Sequence, residues 1–164
     1  MKKPEVPIEH LFDDILENDE QIVKIIKPSK SRYWKAPLFP FGIPLFWPHF
    51  IVIMAVTLFT LPFFYARGYK NLYYAYTNKR LIVRSGKIGV DYRSLDFKHI
   101  TASSVDVGLL DKGSNTGTLT FKSPSASISL SYVESPYDLM KEIKEYMNSV
   151  TAEKNPVADN GLSE

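Results

Sequence analysis

The chain has 164 residues, enough for one globular domain and a membrane element, and its formal net charge is only +2. It contains no cysteine, which excludes disulfides, thiolate catalysis and cysteine metal sites. The small net charge hides an asymmetry, because residues 21–90 carry eleven basic residues and no acidic one. Basic charge on this scale is typical of a surface that meets anionic lipid or nucleic acid.

Residues 1–35 predict a short helix followed by a strand. From Pro7 to about Asn18, apolar residues recur at helical spacing with acidic residues between them, so this helix needs a partner for its apolar face. That partner is either the following domain or a second copy of the protein. Gln21–Ile26 is rich in Ile and Val and predicts a strand. The N-terminus has no apolar core of a signal peptide, so we expect later apolar segments to stay in the mature protein.

Residues 36–66 form an apolar stretch of 31 positions without Lys, Arg, Asp or Glu. A run of about 18 or more such residues predicts a membrane segment, because the hydrocarbon core of a bilayer is roughly 30 Å thick. Tyr33 and Trp34 precede it beside Arg32 and Lys35, a pattern that predicts an interfacial belt of aromatic rings and snorkelling cations.

The apolar stretch permits two topologies, a single crossing or a hairpin. About 20 residues suffice for one crossing, and Phe46–Ala66 fits that length. Five helix-disturbing residues in the first half favour a kinked or returning segment instead; they are Pro37, Pro40, Gly42, Pro44 and Pro48. Basic residues flank both ends, which by the positive-inside rule also favours the hairpin. His49 follows Trp47-Pro48, and we interpret it as part of a bend rather than a proton relay.

Residues 68–150 predict a small antiparallel domain of about six strands. Alternation of polar and apolar residues is clearest in Gly117–Lys122 and Ser127–Ser131. The other predicted strands are Asn71–Thr77, Leu81–Arg84, Lys87–Leu95 and Ile100–Leu109. Asp111–Asn115 predicts a loop by composition.

A C-terminal helix closes this domain. Ser135 is the predicted N-cap and Pro136 the first helical residue, while Asp138 occupies the acidic position of a capping box. An apolar face runs from Leu139 to Met147 and indicates ordinary core packing. The polar residues 151–164 predict a disordered tail.

Four short segments resemble a known family. Tyr74–Gly86 is similar to the opening of the bacterial pleckstrin-homology-like (PH-like) domain of small, YdbS-like membrane proteins. Gly108–Asp111 and Thr116–Leu119 resemble the middle of that domain, and Ser135-Pro136 resembles the start of its last helix. The resemblance implies a PH-like antiparallel β-barrel or sandwich with a C-terminal helix, on the cytoplasmic face of the inner membrane behind membrane segments.

The sequence predicts no enzyme. His10, His49 and His99 are isolated and lack metal-ligand spacing, and Ser85-Gly86-Lys87 lacks the upstream glycine of a P-loop. No cofactor is expected. Fifteen of the 22 aromatic residues lie between Tyr33 and Tyr76, which fits a lipid interface better than nucleic-acid stacking.

Two functions remain open from the sequence. The first is a non-enzymatic, membrane-anchored adaptor or scaffold that binds anionic lipid headgroups, protein partners or itself. Its candidate lipid contacts are Arg67, Lys70, Lys79 and Arg80, although a solvated turn explains the last two as well. The second is an accessory subunit of a transport or envelope complex, in which the apolar stretch and His49 would be the working part.

Overall fold

Two antiparallel sheets form the body of the protein in the computed structural model, which describes residues 8–35 and 63–153. The first sheet has the order β1-β2-β3-β4 and the second the order β5-β6-β7. The strands of the first sheet are β1 (Ile22–Ile26), β2 (Tyr73–Thr77), β3 (Arg80–Ser85) and β4 (Asp91–Asp96). Those of the second are β5 (Ala102–Asp106), β6 (Thr116–Lys122) and β7 (Ser127–Glu134).

Within these residues, four α-helical segments accompany the sheets. They are α1 (Lys30–Lys35), α2 (described over residues 63–71), α3 (Leu109–Lys112) and α4 (Pro136–Glu153). Short 3-10 turns occur at Ile8–His10, Asp13–Ile15 and Phe97–His99. The predicted membrane segment lies mostly in residues 36–62 and the predicted tail mostly in residues 154–164, both outside the described residues.

The first sheet begins before the apolar stretch. β1 pairs with β2 from Ile22 opposite Thr77 to Ile26 opposite Tyr74. The sequence predicts the strand at Gln21–Ile26 correctly but assigns it to a separate N-terminal region. The pairing instead makes it the edge strand of the sheet, so the apolar stretch lies in the connection between two neighbouring strands.

The main core lies between the two sheets and under α4. Its buried side chains come from the inward faces of β2, β3, β6 and β7 and from one face of the helix; among them are Tyr74, Leu81, Phe121, Val133 and Ile143. The predicted alternation in β6 and β7 and the predicted apolar face of α4 are therefore confirmed. Burying such side chains removes apolar area from water, and this stabilises the fold by roughly 25 cal/mol per Å² of buried apolar surface.

The outer face of the first sheet is covered by the N-terminal segment. Phe12 is fully buried there against Tyr73, Ala75 and Ile82. Because this segment covers one face and the main core the other, every residue of β2 is buried. The predicted helix from Pro7 to Asn18 is wrong, since only two 3-10 turns form. A helix of that length is marginal alone, and insertion of Phe12 into the sheet surface decides the local structure instead.

Other boundaries differ where local contacts override the pattern. β4 begins at Asp91 rather than Lys87, and the predicted loop after residue 110 contains the end of α3. α4 continues to Glu153, past the predicted start of the tail. Ser135 precedes α4 with a φ of 45°, and its hydroxyl accepts a hydrogen bond from the Asn115 amide at 3.1 Å.

Candidate functional site

The residues before the apolar stretch meet its C-terminal end and the residues after it in one aromatic cluster. The Tyr33 ring of α1 lies 5.6 Å from that of Tyr65 and 5.3 Å from that of Tyr69, both in α2. Trp34 also packs on Tyr65, with ring centroids 6.4 Å apart. With Tyr132 of β7, these residues form what we call the aromatic junction. The end of the first described segment, residue 35, and the start of the second, residue 63, therefore lie on the same side of the protein.

A bulge in β7 brings Tyr132 into the junction. The pairing of β6 with β7 shifts register between Gly117 and Leu119, and Tyr132 has a φ of 59°. A bulky residue rarely adopts this conformation, which costs on the order of 1–3 kcal/mol. The conformation is held by contacts with the segment before the stretch. The Tyr132 carbonyl accepts from the Ser29 amide at 2.7 Å, and its ring packs edge-on against Tyr33 at 5.7 Å.

Arg32 joins α1 to the second sheet through an ion pair. Its Nε donates to Asp111 Oδ1 at 2.5 Å, and both side chains are largely buried. The same carboxylate oxygen accepts from the Thr116 hydroxyl at 3.2 Å. Among the described residues, Nη1 of Arg32 is a buried nitrogen without a hydrogen-bond partner. The prediction that Arg32 snorkels and Tyr33 lies in an open belt is therefore wrong, because both side chains are packed inside the protein.

Burial raises the pKa of two junction tyrosines, Tyr33 and Tyr69. Loss of solvent raises the pKa of Tyr33 above its ordinary value, with a further contribution from neighbouring Tyr65 and Tyr132. The pKa of Tyr69 is raised for the same reason, and its hydroxyl donates to the Pro28 carbonyl at 3.0 Å. These rings therefore act as packing and hydrogen-bonding groups at any physiological pH.

Exposed cations surround the junction. Six lie on the segments that form it or on the adjacent β3–β4 loop; they are Lys27, Lys30, Lys35, Arg67, Lys70 and Lys87. Lys27 donates to the Tyr73 hydroxyl at 2.6 Å, and its ammonium lies 4.9 Å from the Tyr69 ring centroid. The Lys87 ammonium lies 5.7 Å from the Tyr65 ring. The exposed cations, rather than the buried Tyr33 ring, suit the headgroup region of a bilayer.

The four predicted lipid contacts fall into two pairs. Arg67 and Lys70 are exposed on α2 at the junction, whereas Lys79 and Arg80 lie at the turn beyond the other end of β2. A five-residue strand is roughly 13–17 Å long, which exceeds the screening length of about 8–10 Å in physiological salt. One flat membrane surface at the junction would thus be out of reach of Lys79 and Arg80.

Carboxylates already surround the cations at this far end. Lys79 donates to Glu17 at 2.7 Å and to Asp19 at 2.5 Å. Arg80 makes a two-pronged contact with Glu20, whose side chain is completely buried, at 2.8 and 2.7 Å. Burial opposes ionisation of Glu20, but hydrogen bonds from Arg80 and Thr77 outweigh it and lower the Glu20 pKa below its ordinary value. We call Glu17, Asp19, Glu20, Lys79 and Arg80 the ionic cluster.

Two further observations concern the described residues alone. Within residues 8–35 and 63–153, no group of three or more histidines or carboxylates could hold a metal ion. His10 contacts Asp13 at 2.6 Å and His99 contacts Asp96 at 3.7 Å, both on the exposed surface. His49 lies outside the described part of the chain. No helix in that described part is both long enough and apolar enough to span a bilayer.

The sheet order, the closing helix and the strand pattern match the PH-like fold that the sequence motifs implied. The profile of the bacterial PH domain family matches residues 37–149, more than half of the chain. The chain belongs to the bacterial PH domain family. The matched range begins after β1 and the N-terminal segment, although β1 completes the first sheet.

Solved structures with similar folds include two PH domains from Shewanella. One is a DUF1696 family protein with a pleckstrin-homology domain from Shewanella loihica, 16% identical, with a TM-score of 0.45 over 87% of this chain and 99% of that one. The other is a pleckstrin-homology domain from Shewanella amazonensis, 14% identical, with a TM-score of 0.46 over 84% of this chain and 92% of that one. No curated protein matches the chain.

The junction was only partly visible in the sequence. The sequence indicates Tyr33 and Trp34, as aromatic residues next to an apolar stretch, but it does not indicate Tyr132 or a contact of Asp111. Asp111 stood in a segment interpreted as a loop, and Tyr132 interrupts the alternation of β7. The Gly108-Leu109-Leu110-Asp111 motif is the sequence signal that could have identified Asp111. Gly108 precedes α3, and Asp111 falls in the first turn of that helix.

Proposed function

We propose that this bacterial PH domain protein, of the YdbS-like type, is a non-enzymatic adaptor anchored in the inner membrane by a hairpin. The contact of Tyr33 with Tyr69, which lie on opposite sides of the apolar stretch, carries the proposal, and Trp34 contacts Tyr65 at the end of the stretch. A helix that crosses the bilayer once is about 30 Å long, so a single span would separate its two flanks by that distance. Flanks in ring contact support a segment that enters and leaves the membrane on the same side.

The charge around the junction supports the orientation. Six exposed cations accompany the two flanks, and basic residues near membrane segments favour the cytoplasmic side. Each cation close to an anionic leaflet contributes on the order of 1 kcal/mol of attraction. The PH domain would therefore sit with its junction against the inner leaflet and its far end directed away from it.

An adaptor role follows from what this placement leaves accessible. Within the described residues, β4 and β5 each end a sheet, and their outer edges and the exposed face of α4 would be available to protein partners or to another copy of the chain. The chemistry proposed for the site is recognition of anionic headgroups, with Arg67 and Lys70 as contacts. For Lys79 and Arg80 the same role would require release from their carboxylate partners.

Topology mapping tests the proposal, and the lack of native cysteine makes it simple. Single cysteines replace Ser31 and Lys87, both exposed, and His49 within the apolar stretch. The full chain is placed in sealed inner-membrane vesicles and treated with an impermeant maleimide from each side. We expect Ser31→Cys and Lys87→Cys to react only from the cytoplasmic side. Reaction of the two from opposite sides would overturn the hairpin. Reaction of His49→Cys from the cytoplasmic side as readily as the two flanking positions would overturn the anchor.

A further inference from the structure

The β3–β4 loop, residues 86–90, exposes apolar side chains beside the junction. Ile88 is 80% exposed and Val90 46%. A single exposed aliphatic residue is ordinary on a protein surface. Here, however, four of the seven large apolar side chains exposed in the described residues lie at this end of the molecule, because Phe63 and Phe64 of α2 are also exposed.

The loop is fixed to α2 rather than hanging free. The Asn71 side-chain amide donates to the carbonyl of Gly86 at 2.9 Å and to that of Gly89 at 3.1 Å. Gly86 has a φ of 134°, and a Cβ there would lie 2.3 Å from the Gly89 carbonyl oxygen, so the turn requires glycine. These contacts hold Ile88 in a constant position relative to α2, which contains the end of the apolar stretch.

The loop also combines apolar and basic side chains. Lys87 packs its stem toward Gly68, with Cγ 3.6 Å from where a Cβ would stand, and its ammonium lies over Tyr65. Arg67 and Lys70 are exposed on the adjacent α2. An apolar tip ringed by cations complements an anionic bilayer, whose interface accepts aliphatic groups while its headgroups take the charges.

We propose that the β3–β4 loop is a second membrane contact, which inserts Ile88 and Val90 into the bilayer interface while Lys87 stays among the phosphates. This inference rests on the proposed membrane anchor. We choose lipid as the partner of the loop because α2 connects the apolar stretch directly to Asn71, the residue that anchors the loop. The anchor and the loop together would fix the tilt of the PH domain on the membrane.

Site-specific fluorescence in proteoliposomes tests the loop separately from the anchor. Single cysteines at Ile88, at Lys98 and at His49 of the full chain carry an environment-sensitive dye, one position at a time. Lys98 is the matched control, since it is exposed just beyond the opposite end of β4. Vesicles contain phosphatidylcholine and phosphatidylglycerol, with spin-labelled lipid as quencher from the membrane and iodide as quencher from water.

The expected result is a blue shift and lipid quenching at position 88, with iodide quenching and no blue shift at position 98. If position 88 behaves like position 98 while position 49 is quenched by lipid, the loop inference is overturned and the anchor stands. If position 49 is quenched only by iodide and the chain dissociates from the vesicles, the proposed function itself fails. Lipid quenching at both 88 and 98 would contradict the orientation of the domain on which the inference depends.

Discussion

The two ends of the β2–β3 hairpin use their cations in opposite ways. At the aromatic junction, Arg67, Lys70 and Lys87 are exposed beside tyrosine rings and exposed apolar side chains. At the ionic cluster, Lys79 and Arg80 are bound by carboxylates of the N-terminal segment. A basic stretch of sequence therefore contains two kinds of cation, which only the contacts distinguish. Charge at the cluster stabilises the fold, and charge at the junction remains available for a partner.

The largest expected effect is at the ionic cluster. Arg80→Ala leaves the buried Glu20 carboxylate without its guanidinium, which costs roughly 3–5 kcal/mol for a buried pair. The free energy of unfolding of the full chain in detergent, measured with urea, reports the loss. Lys79→Ala is the matched control, because its partners Glu17 and Asp19 are exposed. Equal losses for the two variants would contradict the distinction between a buried and an exposed pair.

The same cluster predicts a pH dependence. Since the folded-state pKa of Glu20 is lowered, its ionised form stabilises the fold above the ordinary carboxyl pKa of 4.5. That contribution is lost as the pH falls below this value and Glu20 becomes protonated. Glu20→Gln should therefore be less stable than the wild type at pH 7, with a smaller further loss between pH 5 and about 3. Parallel stability curves for the two proteins would show that Glu20 is not the responsible group.

The next effect is at the junction. Tyr33→Ala removes a buried ring that contacts three others, and truncation of a buried aromatic residue costs about 3 kcal/mol or more. Hydrogen exchange should increase in α1 and α2 before it does in β6. Tyr33→Phe keeps the ring and should behave almost as wild type. If Tyr33→Ala left exchange in both helices unchanged, the flanks would not be held by this cluster.

These two ends also show what the sequence can predict. Alternation in β6 and β7, the β1 strand and α4 follow from local pattern, because each buries a regular face. The pair between Arg32 and Asp111 does not, since the two residues are 79 positions apart and only the fold brings them together. The N-terminal segment has apolar residues at helical spacing, yet it forms two 3-10 turns, because packing of Phe12 into the sheet outweighs the local preference for a helix.

A smaller effect is expected in the β3–β4 loop. Gly86→Ala forces a Cβ against the Gly89 carbonyl at a positive φ, a strain of about 1–3 kcal/mol. Gly89→Ala is the control in the same loop, because no heavy atom lies within 4 Å of the added Cβ. Urea unfolding measures the free energy of unfolding of each variant, which should fall more for Gly86→Ala than for Gly89→Ala. A Gly89→Ala loss as large as that of Gly86→Ala would mean that the loop has another conformation.

The smallest effect concerns the exposed cations. Arg67→Gln and Lys70→Gln should each weaken attraction to anionic lipid by about 1 kcal/mol, an effect that salt reduces. Energy transfer from Trp34 to dansyl-labelled phosphatidylglycerol or phosphatidylcholine measures the lipid preference of the full chain, with Trp47→Phe removing the other donor. Lys141→Gln and Lys144→Gln on the exposed face of α4 are the controls. An equal loss for these controls would contradict a localised lipid surface.

The distance between the two flanks in a bilayer tests the central claim most directly. Spin labels on Ser31→Cys and Arg67→Cys of the full chain, both at exposed positions, report it by double electron–electron resonance in nanodiscs. Because α1 and α2 pack through Tyr33 and Tyr65, we expect one short distance, well below the bilayer thickness. A distance equal to or greater than the hydrocarbon core, roughly 30 Å, would show that the stretch crosses once and would contradict the hairpin.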